Sequence, residues 1–173
     1  VSEDKIQSLW ETIFSEFFNY SKLKREIDTK RNIQIGSTER IIPDIILKQE
    51  NNDLCIIELK QETLTCGSEQ LISYLKQLKI DIGILICSSI YIYAYEYNKP
   101  DTQQSFVKID FVKDSQDGIK FVELLNKNNF NKESIKQFIH NKIKSKENIL
   151  NIKNKISKEL IINLLKKHFE NEY

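Results

Sequence analysis

Asp44, Glu58 and Lys60 lie within two otherwise apolar runs, Arg40–Lys48 and Leu54–Gln61, separated by the turn-forming stretch Gln49-Glu50-Asn51-Asn52-Asp53. If the runs pair antiparallel about a turn centred on Asn51, cross-strand partners have numbers summing to 102, and Asp44 falls opposite Glu58. Directly opposed Cβ atoms stand about 4.5–5.5 Å apart, and like charges so placed repel unless a proton or a cation sits between them. A divalent metal ion would resolve the conflict. Strand alternation puts Lys60 on the same face as Glu58, while Ile57 and Leu59 turn to the other face and pack. The alternative is an ordinary strand-start Asp44 and a solvated Glu58–Lys60 pair worth under about 1 kcal/mol. The alignment of the acids across an Ile-rich hairpin favours a cleft.

Such a cluster needs a rigid frame, and hydrophobic periodicity supplies one. From Glu3 to Tyr20, Ile6, Leu9, Trp10, Ile13, Phe14, Phe17 and Phe18 recur at helical spacing behind Ser2 as N-cap. Glu3 leans toward that apolar stripe, where it either complements the helix dipole or serves a site. Lys30–Ile35 reads as a first strand, with a Gly36–Ser37 turn before Arg40–Lys48. A helix starting at Ser68 carries Leu71, Ile72, Leu75 and Leu78, and the strands Ile82–Ser88, Tyr91–Asn98 and Phe106–Phe111 follow. Tyr91, Tyr93, Tyr95 and Tyr97 share one strand face, which fits half-buried sheet packing better than a platform for bases. Gly118–Lys127, Lys132–Lys144 and Ser157–Glu170 read as helices, the last with Leu160, Ile161, Leu164, Leu165 and Phe169 at helical spacing.

The expected fold is α/β (α+β): a mixed sheet of about five strands flanked by helices, occupying residues 1–115. A Lys-rich helical extension, 116–173, packs on it. A length of 173 residues suits one domain. The formal charge is only +1, but residues 1–118 hold 14 basic against 19 acidic side chains and 119–173 hold 12 against 6, so the end could meet an anion. No apolar run approaches the roughly 20 residues needed to cross a bilayer and no leader opens the chain, which points to a soluble, cytoplasmic protein. Cys55, Cys66 and Cys87 lack CxxC spacing and read as reduced; His140 and His168 read as exposed on Lys-rich helices.

Pro43-Asp44 followed by Glu58-Leu59-Lys60, on paired strands with a helix next, resembles the PD-(D/E)XK nuclease superfamily. Gln70-Leu-Ile-Ser-Tyr74 on that helix is similar to the Q-x-x-x-Y element of the N-terminal nuclease domain of type I restriction enzyme R subunits. The likeness covers roughly residues 3 to 100. It implies a restriction-endonuclease-like core and metal-dependent hydrolysis of DNA in phage defence. Asp44, Glu58 and the Leu59 carbonyl would hold Mg2+ or Mn2+, and Lys60 would assist the water nucleophile. Gln70 and Tyr74 would brace Lys60 or the nucleic-acid backbone, and Glu3 would correspond to an acid on the first helix. No GxxxxGK[ST] loop is present, so the motor of a complete R subunit is absent, and a homodimer or a motor or specificity subunit is an expected partner. An RNA-directed nuclease and a non-catalytic nucleic-acid-binding or assembly module remain the alternatives.

Overall fold

A computed structural model describes residues 2–35, 37, 39–61 and 64–170, and the side chains of all of these but 39, 64–67, 157, 169 and 170. The side chains of Cys66 and Phe169, and Gly36 of the expected turn, lie outside this set. The order is α1 (Glu3–Glu16), β1 (Ile27–Thr29), β2 (Ile33–Ile35), β3 (Glu39–Ile41), β4 (Ile45–Gln49), β5 (Asn52–Leu59), α2 (Leu64–Leu78), β6 (Ile82–Ile86), β7 (Ser89–Ala94), β8 (Ser105–Asp110), α3 (Gln116–Leu125) and α4 (Lys132–Glu170), with a 3-10 turn at Asp101–Gln103. Contacts divide the chain into two compact units, Val1–Ile139 and His140–Tyr173. The division falls inside α4 and not near residue 115, so α3 and the start of α4 belong with the sheet. No helix among the described residues is long and apolar enough to cross a membrane.

The first unit is a mixed α/β core. Six strands run in the order β1-β4-β5-β6-β7-β8, and β2 and β3 form a separate hairpin. Only β5 and β6 are parallel, and α2 is the connection that a parallel pair requires. On one face α2 sets Leu71 and Leu75 against Ile56, Leu85, Tyr91, Tyr93 and Tyr95. The tyrosine stripe is therefore core: burial pushes the Tyr93 hydroxyl up to about 12, and only Tyr97 stands out in solvent. Gly83 of β6 leaves room for the side chains of α2, since a Cβ there would lie 2.7 Å from Leu75 Cδ1 and 3.0 Å from Leu71 Cδ1. An aromatic series links α1 to α3, with ring centroids at 5.6 Å for Trp10–Phe14, 5.4 Å for Phe14–Phe18 and 5.6 Å for Phe18–Phe121. Buried Glu26, before β1, pairs with Lys127, after α3, at 2.8 and 3.0 Å.

Several boundaries differ from the sequence expectation for physical reasons. The expected strand Arg40–Lys48 is two strands, β3 and β4, broken at Ile42-Pro43-Asp44, where Pro43 has no amide hydrogen to give a ladder. The first strand of the main sheet, β1, precedes the expected Lys30–Ile35 and is three residues long, too short to show periodicity. Helix α1 stops at Glu16. The two expected C-terminal helices are one helix of 39 residues, because the intervening stretch contains no Gly or Pro. Ile135 and Ile139 of α4 are buried, and Lys136 bonds Asp81 at 3.1 Å. The described residues of the second unit are all helix, with Ile149, Ile152, Ile156, Leu160 and Leu164 exposed.

Candidate functional site

The β4–β5 hairpin carries the acids. Ile45, Ile46 and Leu47 pair with Ile57, Ile56 and Cys55, whereas Lys48 pairs with Asp53 and Gln49 with Asn52. The tip is thus the two-residue turn Glu50-Asn51, with Glu50 at φ 55. Leu54 is the extra residue of a bulge, which shifts the register between Leu47 and Lys48. Beyond the bulge partners sum to 102, so Asp44, one residue before β4, meets the end of β5 at Glu58 and Leu59.

Two hydrogen bonds clasp the acids together. The Leu59 amide donates to Asp44 Oδ2 at 2.8 Å, and the Asp44 amide donates to the Glu58 carboxylate. The Asp44 carbonyl in turn accepts from the Lys30 amide at 3.2 Å. Breaking the strand at Pro43 frees Asp44 from ladder pairing and lets it turn onto β5. Lys60 follows β5; its amide is fixed to the Ile86 carbonyl at 2.9 Å, and its Nζ stands 3.3 Å from Glu58 Oε2. The structure brings Asp44, Glu58 and Lys60 together.

Glu58 is the unusual member. Its side chain is 1% exposed, and Oε1 has no hydrogen-bond partner, a state shared among the described buried side chains only with Gln77 Oε1. Burial, and then the charge of Asp44, push its pKa up to about 7, against the opposing pull of Lys60. A buried carboxylate oxygen with nothing to bind loses its water without return. The donor set is all oxygen, which fits a hard divalent cation: Asp44, Glu58 and the Leu59 carbonyl are the groups that could hold one. No group of three or more His, Cys, Asp or Glu side chains suited to a metal occurs among the described residues. An ion here would therefore rest on two carboxylates and complete its shell with carbonyl and water, as Mg2+ does.

Around this centre the expected supporting residues divide. Gln70 and Tyr74 share a face of α2 and bond each other, Nε2 to Oη at 2.7 Å, and Tyr74 packs on the α2 core. Glu3 stands exposed in the first turn of α1, where its charge is felt by Lys30. Lys30 is a neighbour that spacing did not single out. It bonds Asp4 at 2.7 Å, and its pKa is raised by that bond first, with smaller contributions from Asp44 and Glu3. Its proximity depends on how α1 lies over β1, for which the local sequence carries no signal.

No protein-family model and no curated protein matches this chain. Among solved structures, one described as the crystal structure of SSO0001 is similar at 21% identity with a TM-score of 0.32. That likeness covers 62% of this chain and half the length of the other.

Proposed function

We propose that this chain is a metal-dependent nuclease domain of the PD-(D/E)XK type, hydrolysing phosphodiester bonds in DNA, similar in its motifs to the N-terminal domain of type I restriction R subunits. The observation that carries this is the Glu58 carboxylate, buried, with one oxygen unpartnered, clasped to Asp44 and 3.3 Å from the Lys60 ammonium. Two acids held together, one of them buried, are expensive to keep unless an ion neutralises them. Mg2+ or Mn2+ held there supplies Lewis acidity toward the phosphate and a more acidic bound water.

The chain's own residues do the rest. Asp44 and Glu58 bind through the oxygens not used in the clasp, and the Leu59 carbonyl adds a third donor. Lys60, anchored by its backbone to β6, holds a positive charge beside Glu58 that orients the attacking water and offsets charge on the scissile phosphate. Gln70 and Tyr74 stiffen the neighbouring face of α2. Action on foreign DNA in the cytoplasm, as a homodimer or beside a motor or specificity subunit, belongs to the same proposal.

Supercoiled plasmid incubated with the protein and Mg2+ or Mn2+ is the test, with labelled DNA and RNA strands of one sequence offered in competition. Nicking that disappears in Asp44→Asn, Glu58→Gln and Lys60→Ala supports the proposal. Nicking that survives all three rules it out, and preferential cutting of RNA moves the substrate from DNA to RNA.

A further inference from the structure

At the end of β5 and β6, beside Lys60, α1 overhangs a groove of about 850 Å³. Its walls include Leu9, Trp10, Ile13, Ser88 and Phe111, and Lys60 closes one side. Leu9 and Phe111 are 59% and 57% exposed, a large apolar surface to leave in water. The Trp10 and Phe111 ring centroids are 6.3 Å apart with planes tilted by 40°, and Phe14 backs the indole at 5.6 Å. Lys60 is the sole charged side chain lining the groove among the described residues.

We propose that this groove is a base-binding subsite, and that the substrate is therefore a strand with unpaired or turned-out nucleotides and not an intact duplex. The inference rests on the nuclease proposal above. Lys60 is common to the groove and the acid pair, so a strand whose phosphate lies by Lys60 carries its neighbouring base toward Trp10. A second copy or an apolar peptide would also cover apolar surface, but neither has a reason to share Lys60 with the acid pair. A duplex backbone needs several cations along its path, whereas a base needs an aromatic face and a few polar groups for its edge, which Trp10, Phe111 and Ser88 provide. Bases inside a duplex are stacked on both faces and cannot reach an indole unless extruded.

Trp10 is the single tryptophan and lines the groove, so its fluorescence reports on that wall of the groove. The full chain, in Ca2+, is titrated with a fluorescein-labelled oligo-dT and with the same strand in a blunt duplex, following Trp10 emission, anisotropy and, on a gel, any cleavage. The single strand should quench Trp10 and bind more tightly than the duplex. Stacking of this kind makes Trp10→Leu at least about fivefold weaker for the single strand, with Trp10→Phe recovering most of the loss. Equal binding of duplex and single strand, or Trp10→Leu binding like the parent, overturns the subsite. Trp10 emission that changes with protein concentration alone assigns the groove to a second copy and overturns it too. Plasmid nicking that persists through such failures leaves the nuclease proposal standing, and quenching by the single strand with no cleavage of any substrate in Mg2+ sinks the hydrolytic reading alone.

Discussion

Replacing Glu58 by Gln should stabilise the metal-free protein at alkaline pH. The carboxyl is raised from 4.5 to about 7 by burial and by Asp44. Each pH unit between the folded and unfolded values corresponds to 1.36 kcal/mol, so holding the ionised form in place above pH 7 costs about 3 kcal/mol. The sign follows from proton binding. Between pH 4.5 and 7 the folded chain retains a proton that the unfolded chain has lost, so stability falls as pH rises through that window and stays low above it. Gln keeps the shape and an acceptor for the Asp44 amide but carries no charge. The pull of Lys60 is already contained in the value of about 7, so losing that ion pair subtracts nothing further.

Thermal melts followed by circular dichroism in EDTA should therefore place Glu58→Gln above the parent at pH 8. A chain of this size shifts by roughly 2–4 °C per kcal/mol, which puts the expected gain at about 5–10 °C, shrinking toward zero near pH 4.5. Adding Mn2+ should reverse the trend, because an ion that binds only the folded parent stabilises the parent alone. A variant that is less stable than the parent at pH 8, with a difference independent of pH, would show that Glu58 is a satisfied structural carboxylate and would refute the reasoning.

Two further predictions concern the frame. Gly83→Ala should cost roughly 1–3 kcal/mol in chemical denaturation, because the new methyl group meets Leu75 and Leu71, both fully buried; an unchanged midpoint would mean that the ends of these two leucine side chains turn aside freely. Lys127→Ala should destabilise by about 2 kcal/mol at pH 7. Burial alone would raise the Glu26 pKa, but its bonds to Lys127 and the Ser21 amide hold it below the usual value, so the difference between parent and variant should be present above pH 4.5 and fade as pH falls through the lowered folded pKa. A difference that persists at pH 3 would contradict this pairing.

Much of the site's frame was legible in the sequence, and the reasons it was legible are local. Alternation in Leu54–Gln61 puts Glu58 and Lys60 on one face whatever the rest of the chain does, and helical spacing alone brings Gln70 to Tyr74. The Asp44–Glu58 register was legible for a less direct reason. A turn centred on Asn51 is displaced from the observed Glu50-Asn51 tip, but the extra residue at Leu54 restores the pairing at Leu47 and beyond. Bulges of this kind have no clear sequence mark. The Pro43 break was visible as a residue type, yet its consequence, that Asp44 leaves the ladder and clasps Leu59, needed the fold. The same holds for Lys30, for the unpartnered Glu58 oxygen and for the Trp10 groove, which arise only where elements distant in sequence meet. The continuous α4 escaped because Asn148, Asn151 and Asn154, weak helix formers, interrupt its middle, although Ile149, Ile152 and Ile156 keep helical spacing there.

The central claim is that Asp44 and Glu58 jointly hold a divalent cation, and calorimetric titration with Mn2+ tests it most directly. At pH 8 the parent should bind, with affinity rising between pH 6 and 8 as the ion competes with the Glu58 proton, while Asp44→Asn and Glu58→Gln should each bind at least about tenfold more weakly. Binding of equal strength by all three proteins, or none by the parent at pH 8, would contradict it.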